Sequence, residues 1–217
     1  MKRLISRVLP LVAGAALGAG LLLSGIYATG GGLVDNLPGI SRPPDGGDPT
    51  RNSSLVARAY DILDTLKNSD YESLARSVHP EYGVIFAPYA TISLPSNKRF
   101  TEGQVSSFGV DANTYVWGVY DGSGEPIELS PAAYFARFVY NKDFARAPVV
   151  GVNYTVRSGN ALENVTDVFP DAQYVDFYFP GDDKGADSRD WNSLRLGFED
   201  YSGTLCLTVI IHSEWTA

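Results

Sequence analysis

The sequence predicts an α+β domain in which N-terminal helices pack on a curved, mostly antiparallel sheet, after a signal or anchor helix and a linker. The first half of the domain carries the helical periodicity, whereas four strand-like segments follow one another in the second half. Helices followed by a run of strands are typical of α+β folds. Hydrophobic residues form 44% of the chain and charged residues 19%, which is enough apolar material for a buried core.

Three cations precede an uncharged apolar stretch over residues 8–28; they are Lys2, Arg3 and Arg7. The positive-inside rule places these cations in the cytoplasm and everything downstream outside it. The stretch is longer than a usual signal-peptide core and close to a bilayer span. Two alternatives therefore stay open: residues 8–28 anchor the protein in the cell membrane, or the protein is secreted after cleavage near Ala28. Both predict an extracytoplasmic domain.

Gly, Pro, Asp and Asn dominate residues 29–52, which therefore have no periodic apolar face. This composition is typical of a linker with flexible and extended parts. The sequence thus divides into a signal peptide or transmembrane anchor (1–28), a Gly/Pro-rich linker (29–52) and one domain (53–217). The last segment has the size that a single domain prefers.

Three helices are predicted. The first is capped by Ser53 or Ser54 and carries an apolar stripe at 3.6-residue spacing: Leu55, Ala59, Ile62, Leu63 and Leu66. The second begins at the capping-box spacing of Ser69 and Glu72 and stops at Pro80. The third runs from Pro131 to Tyr140, with Ser130 as its N-cap and proline at its first position.

Strand-like segments combine apolar, aromatic and β-branched residues between turns rich in Gly, Asp and Asn. They are Gly83–Tyr89, Tyr115–Tyr120, Val149–Val156, Gln173–Phe179, Ser193–Glu199 and Thr204–His212. In the penultimate segment, Leu194, Leu196 and Phe198 alternate with Arg195 and Glu199, and the turn Asp200–Gly203 follows. The last two segments therefore predict a β-hairpin.

This element order, together with the segment Ala57–Pro80, resembles the nuclear-transport-factor-2-like superfamily. The resemblance implies three N-terminal helices against a strongly bent sheet, which form a cone whose open end holds small molecules. Further segments are similar to a family of exported bacterial proteins with no assigned activity, many of them lipoproteins: Tyr71–Ala75, Val78–Val84, Trp117–Ile127, Phe138–Tyr140 and Ile211–Thr216. This chain lacks the lipid-accepting cysteine of those lipoproteins.

Charge and motif content exclude several classes of function. The net charge is -8, from 17 Lys and Arg against 25 Asp and Glu, and no Lys/Arg run follows Arg7. The chain therefore lacks the positive electrostatic field that attracts proteins to the phosphates of nucleic acid. Cys206 is the lone cysteine, which excludes an intramolecular disulfide and predicts a buried, inert thiol. No phosphate-loop, dinucleotide or zinc-ligand spacing occurs, so neither a cofactor nor a metal is expected.

His79 and His212 are the only histidines, and either one is a candidate general acid or base near neutral pH. The structural alternative has His79 capping the C-terminus of the second helix and His212 filling a hydrogen-bonding position at a strand end. That alternative is favoured for both residues.

Further candidates surround one turn and one strand. Trp117, Tyr120, Asp121 and Glu125 place aromatic faces beside carboxylates, which suits sugars, peptides or cations, although a plain hairpin with Trp117 in the core is favoured. The resemblance implies tyrosines at the open end of the cone, which adds Tyr89.

Trp191 and Arg195 begin the penultimate strand. Because Arg195 lies on the face opposite Leu194 and Leu196, it either meets solvent, which is the default, or points at an anionic ligand.

Because these groups are spread along the chain, the leading hypothesis is a non-catalytic module that binds a small molecule or an envelope protein. Whether the chain is an enzyme stays open. The alternative is a cofactor-independent lyase, isomerase or hydrolase that uses His79 or His212 with a carboxylate in the cone. A homodimer that forms through an exposed apolar face of the sheet is a further hypothesis. The spacing of Gly14 and Gly18 would also let two N-terminal helices pack closely, although chance alone explains this spacing in a Gly/Ala-rich stretch.

Overall fold

A computed structural model describes residues 49–159, 161–181 and 189–216, with side chains from Asn52 onward. The described residues form a mixed α+β structure with a curved sheet and a few helices. The helices are α1 (Pro49–Lys67), α2 (Tyr71–Ala75), α3 (Glu102–Ser106), α4 (Pro131–Tyr134) and α5 (Val165–Val168). The strands are β1 (Val84–Ala87), β2 (Lys98–Phe100), β3 (Tyr115–Val119), β4 (Pro126–Leu129), β5 (Val149–Val152), β6 (Gln173–Phe179), β7 (Asn192–Tyr201) and β8 (Thr204–Glu214).

Six strands form the main sheet in the order β2-β1-β8-β7-β6-β5, and β3 and β4 form a separate hairpin. Only β1 and β8 pair in parallel among these described strands; every other pair is antiparallel. The prediction of a curved, mostly antiparallel sheet is therefore confirmed. The pairing of β1 with β8 brings the first strand of the domain beside the last one.

The predicted hairpin is β7–β8, and its turn is shorter than the sequence suggested. Tyr201 pairs with Thr204, which leaves Ser202 and Gly203 as the two loop residues. Their φ angles are 53° and 84°, the left-handed values that a type I′ turn requires. Such a turn matches the right-handed twist of its strands, so it fixes the register of the longest pairing in the sheet.

The apolar stripe of α1 is buried as predicted; Leu55, Ala59, Ile62, Leu63 and Leu66 are each at most 4% exposed. The helix packs against β6, where the Tyr60 ring meets the Phe177 ring edge-on at 5.3 Å. It begins at Pro49 rather than at Ser53 or Ser54. Proline is favoured in the first turn of a helix because its missing N–H is not needed there.

The second helix is shorter than predicted, and a different residue caps it. Asp70 is the N-cap, and its carboxylate accepts a hydrogen bond from the Ser73 N–H at 3.0 Å. The helix ends at Ala75 rather than at Pro80. The following residues pair instead with the sheet: Val78 bridges to Leu207, and His79 bridges to Gly83. The prediction that His79 caps this helix is therefore wrong.

Aromatic side chains fill the space between the sheet and the helices. Phe86 of β1 lies within 6.2 Å, ring centre to ring centre, of Phe100, Phe108, Trp117, Tyr134 and Phe135. Trp117 stacks on Tyr134 at 3.8 Å, and its indole N–H donates to the Leu129 carbonyl at 2.8 Å. The prediction that Trp117 packs in the core is confirmed, because its exposure is 0%.

The third predicted helix contains an irregularity that the sequence did not show. After α4 the chain continues as a π-helical turn over Phe135–Val139, and the Tyr140 N–H donates to the Phe135 carbonyl at 2.8 Å. Ser130 caps α4 as predicted. π-turns inside helices are frequent at functional sites, since they displace the side chains that follow.

A segment whose only regular element, among its described residues, is the short helix α5 covers the other face of the sheet. Residues 153–159 and 161–169, which we call the strap, lie over β6, β7 and β8, and Val165 joins a core cluster with Tyr174, Val209 and Ile211. Asn164 ties the strap to the chain after β1, because its side chain bonds both the N–H and the carbonyl of Ile92 at 2.8 and 2.9 Å. The central strands are therefore buried on both faces.

The predicted signal or anchor (1–28) and most of the predicted linker (29–48) lie outside the described residues. Among the helices that the structure does describe, none has the length and apolar composition needed to cross a membrane.

The aromatic core predicts a large cost for truncating Trp117. Trp117→Ala removes a fully buried side chain and its hydrogen bond, so the free energy of unfolding should fall by about 3–5 kcal/mol. Urea denaturation followed by circular dichroism measures this change. The control is Val110→Ala, which alters a side chain that is 90% exposed and should change stability by less than about 0.5 kcal/mol. Equal midpoints for the two variants would contradict this packing.

Candidate functional site

Several predicted residues meet at the C-terminal end of β8, around the π-turn. We call this surface the terminal patch and define it by Tyr89, Tyr120, Asp121, Arg137 and Glu214. Arg137 and Glu214 form a two-pronged ion pair with N–O distances of 2.5 and 3.3 Å. The Thr216 hydroxyl donates to the Asp121 carboxylate, which joins the chain end to the β3–β4 turn.

Phe138 forms the floor of the terminal patch. Its buried ring lies 5.9 Å from the Tyr89 ring and 6.4 Å from the Tyr120 ring. The Arg137 guanidinium lies 4.4 Å from the centre of the same ring, which is a cation–π distance. The patch therefore combines two half-buried tyrosines with a charge pair on an apolar base.

Burial and charge shift two pKa values in the terminal patch. Partial burial is the main cause that raises the pKa of Tyr89. The hydrogen bonds from Arg137 to Glu214 raise the pKa of that guanidinium. Tyr89 is therefore neutral and Arg137 is charged throughout the physiological range.

His212 lies directly beside the terminal patch but is sealed from solvent. Its Nδ1 lies 3.2 Å from the Pro88 carbonyl, while Nε2 lies 3.2 and 3.0 Å from the amide nitrogens of Asn141 and Asn192. A carbonyl can only accept and an amide nitrogen can only donate, so the proton is on Nδ1 and Nε2 is the acceptor. Burial lowers the pKa of His212 to about 4.

His79 lies far from His212. The His79 N–H donates to the Leu207 carbonyl at 3.0 Å, and Leu207 precedes His212 by five positions on β8, or roughly 16 Å at ~3.3 Å per residue. The His79 ring stacks on Tyr82 at 4.4 Å, and its Nδ1 accepts the Glu81 and Tyr82 N–H groups. The two histidines are therefore not brought together.

Glu125 is exposed on the β3–β4 turn and makes its hydrogen bonds through its backbone. Asp121 accepts the Gly122 N–H at 3.1 Å, as expected for a residue that caps a turn. Of the four candidates around this turn, Tyr120 and Asp121 therefore belong to the terminal patch, and Trp117 and Glu125 do not.

Trp191 and Arg195 lie on the opposite face of the sheet, beneath the strap. Trp191 is 1% exposed and packs between Tyr178 and the Arg157 guanidinium. Arg195 is 0% exposed, so its default interpretation as a solvent-facing residue is wrong. The strap covers this face of the sheet, which the alternation of residues along β7 does not show.

Two carboxylates that the sequence analysis missed surround Arg195. Its Nη1 donates to Glu163 Oε2 at 2.5 Å, and its Nη2 lies 3.5 Å from Asp176 Oδ2 without hydrogen-bond alignment. Asp176 stands directly opposite Arg195 on β6 and is 0% exposed. A lone carboxylate inside the apolar, aromatic segment Gln173–Phe179 was the available sequence signal, since a buried charge needs a partner.

Burial and the neighbouring charges both shift the pKa values of Glu163 and Arg195. Burial raises the pKa of Glu163, although Arg195 partly opposes that effect. For Arg195, burial alone would lower the pKa, but Asp176 and Glu163 together raise it.

Five buried polar atoms of Arg195, its two carboxylate neighbours and Tyr154, which lies near Asp176, find no hydrogen-bond partner among the described residues: Tyr154 Oη, Glu163 Oε1, Asp176 Oδ1, Arg195 Nε and Arg195 Nη2. A buried polar group without a partner costs about 1–3 kcal/mol. This cluster is therefore the least satisfied polar region of the described core.

Comparison of the chain with protein-family models, with curated proteins and with solved structures finds no match. Within the described ranges, no three His, Cys, Asp or Glu side chains form a group that suits a metal ion. Burial raises the pKa of the Cys206 thiol, in keeping with the inert buried thiol predicted for it.

The buried imidazole of His212 predicts a loss of stability in acid. Its pKa is about 4 in the folded protein and ~6.5 in an unfolded chain. Between these values the unfolded chain binds a proton that the folded protein does not, so stability falls as the pH is lowered from about 6.5 to about 4. The contribution is up to about 3 kcal/mol.

Urea denaturation at pH 7 and pH 4.5 measures this effect in the wild type and in His212→Gln. The variant should be less stable at pH 7 and should lose less stability on acidification, because it has no imidazole to protonate. The same acid-induced loss in both proteins would contradict the assignment.

Proposed function

We propose that the chain is an extracytoplasmic, non-catalytic binding module of the nuclear-transport-factor-2-like type, which binds an envelope protein at the terminal patch. The observation that carries this proposal is the convergence of Tyr89, Tyr120, Asp121 and Arg137 on one surface, over an interior already filled by aromatic rings. The order of helices and strands and the curved sheet support the proposed cone-like fold.

The geometry supports a binding module over the alternative lyase, isomerase or hydrolase. A general base needs an accessible lone pair within hydrogen-bond reach of a substrate. The Nε2 lone pair of His212 is already engaged by Asn141 and Asn192 in a fully buried position. His79 is 3% exposed and lies at the other end of β8.

The residue types of the terminal patch favour a protein over a small molecule. Tyr, Trp and Arg are enriched among the residues that contribute most to protein–protein binding, and this surface presents Tyr89, Tyr120 and Arg137. Trp215, partly exposed beside Glu214, carries the Arg189 guanidinium 4.8 Å from its ring centre. Each side chain rests on a ring or a charge partner, so little side-chain entropy is lost on binding.

Photo-crosslinking in the cell that produces the protein tests the patch. A photoreactive phenylalanine derivative at Tyr120 should give a discrete adduct of higher mass. The same group at Val110, a 90% exposed position outside the patch, is the matched control and should give none. Adding Arg137→Glu should reduce the Tyr120 adduct at least about tenfold, since loss of an arginine at the centre of an interface costs ~2 kcal/mol or more. Equal adducts at both positions would exclude the patch as the binding surface.

A reporter fusion tests the proposed location. A phosphatase that is active only outside the cytoplasm, fused after Ala217, should be active. Replacing Lys2, Arg3 and Arg7 by Glu should lower that activity, because it removes the charge bias that sets orientation. The mass of the membrane-bound or secreted protein then distinguishes a retained anchor from cleavage near Ala28. An inactive wild-type fusion would contradict export.

A further inference from the structure

A second surface with exposed aromatic rings lies near the β7–β8 turn, at the other end of β8 from the terminal patch. Tyr82 is 54% exposed and Tyr201 is 37% exposed. The His79 ring stacks on Tyr82 at 4.4 Å and meets the Tyr201 ring edge-on at 5.1 Å, so one buried imidazole supports both tyrosines. We call this the turn surface and define it by His79, Glu81, Tyr82, Glu199 and Tyr201. It takes no part in the proposed function.

His79 offers an unused hydrogen-bond donor at the turn surface, although the residue is only 3% exposed. Its Nδ1 accepts the N–H groups of Glu81 and Tyr82 at 3.2 and 3.1 Å, so its proton is on Nε2. Nε2 has no hydrogen-bond partner among the described residues and, unlike the unpartnered atoms of the Arg195 cluster, it is not sealed from solvent. A bound molecule can therefore supply the missing acceptor.

Carboxylates lie beside these rings. Glu81 accepts a hydrogen bond from the Tyr201 hydroxyl at 3.2 Å, and Glu199 precedes Tyr201 by two positions, on the same face of β7. Burial is the main cause that raises the pKa of Glu199; a charge on His79 opposes that effect, and the charge of Asp171 adds to it. Within the described residues, none of these three carboxylates forms an ion pair with a lysine or arginine.

Arg58 offsets only part of this negative charge. Its Nε donates to the Leu205 carbonyl at 3.2 Å, beside the same turn. One cation against three ionised carboxylates leaves the region negative. The face of a tyrosine ring also attracts cations. The charge and the rings of the turn surface therefore both favour a cationic partner over an anionic one.

The donor and the rings narrow the class of cation. A small ion such as ammonium would meet the carboxylates but would leave the rings of Tyr82 and Tyr201 and the His79 N–H uncovered. A neutral sugar would cover the rings but would leave the negative charge unbalanced. A peptide segment with arginine meets all three features, because its guanidinium is planar and stacks on aromatic rings, and its backbone carbonyls are acceptors.

We propose that the turn surface binds an arginine-containing peptide segment of a partner protein. A guanidinium lies against the Tyr201 ring, between the carboxylates of Glu81 and Glu199. The apolar stem of the arginine and the neighbouring peptide backbone cover Tyr82. A backbone carbonyl of the segment accepts the hydrogen bond from the His79 Nε2–H group.

Fluorescence anisotropy with the full-length protein in detergent tests this proposal. The probe is a labelled peptide of four Gly-Arg repeats with blocked ends. A matched peptide carries citrulline, the neutral isostere of arginine, and should bind at least about tenfold more weakly, because it cannot pair with the carboxylates. Raising NaCl from about 0.05 M to about 0.5 M should weaken binding of the arginine peptide at least about threefold, because salt screens exposed charges.

Two variants locate the binding at the turn surface. Glu199→Gln removes one charge at constant shape and should weaken binding about fivefold or more. Tyr201→Ala removes the ring beneath the guanidinium and should have a similar effect; it decides the question if Glu199→Gln does not fold. The matched controls are Glu128→Gln, at an exposed carboxylate of β4, and Leu94→Ala, at a side chain that is 52% exposed. Both should bind as the wild type does.

The proposal is overturned if the arginine peptide does not bind, or if the citrulline peptide binds as tightly. Equal weakening by Glu199→Gln and Glu128→Gln would also overturn it, because the peptide would then respond only to the net charge of the protein. The crosslinking result at Tyr120 does not depend on any of these outcomes.

Discussion

The rest of this structure depends on one constraint: both faces of the central strands β6, β7 and β8 are covered by other parts of the chain. Helices and aromatic rings lie against one face of β6, β7 and β8, and the strap lies against the other. Every side chain near the middle of these strands is therefore buried, including the polar ones. A sheet covered on one face alone would expose alternate residues to water. Here each polar residue must find its partner inside the protein.

The two faces meet this constraint in different ways. On the helical face, His212 is kept neutral, and the carbonyl and two amides around it match one tautomer. On the strap face, charge is retained: Arg195 stands between Asp176 and Glu163, and part of its hydrogen-bonding capacity finds no protein partner. A neutral, fully bonded group stabilises a core. A charged and partly bonded cluster stabilises it less, because its unpartnered groups have lost their hydration without gaining a protein partner.

Local sequence patterns predicted the elements that depend on local interactions. The apolar stripe of α1, the bounds of β6 and the β7–β8 hairpin all follow from periodicity and turn composition. Features that depend on distant residues could not be predicted in this way. The second helix ends early because Val78 and His79 pair with the sheet, and Arg195 is buried because the strap folds over it. For the terminal patch, the sequence predicted Tyr89, Tyr120 and Asp121. It did not predict Arg137 or Glu214, whose pairing depends on the π-turn and on the register of β8.

His212 links the core to the terminal patch, although its own chemistry is blocked. Its three hydrogen-bond partners come from three separate parts of the chain: Pro88 directly precedes Tyr89, Asn141 follows the π-turn that carries Arg137, and Asn192 begins β7. Glu214 lies two positions beyond His212 on the same strand. A single buried imidazole therefore holds three residues of the patch, Tyr89, Arg137 and Glu214, in fixed relative positions. Such pre-organisation lowers the entropy lost on binding, which gives a buried, non-catalytic histidine a role in recognition.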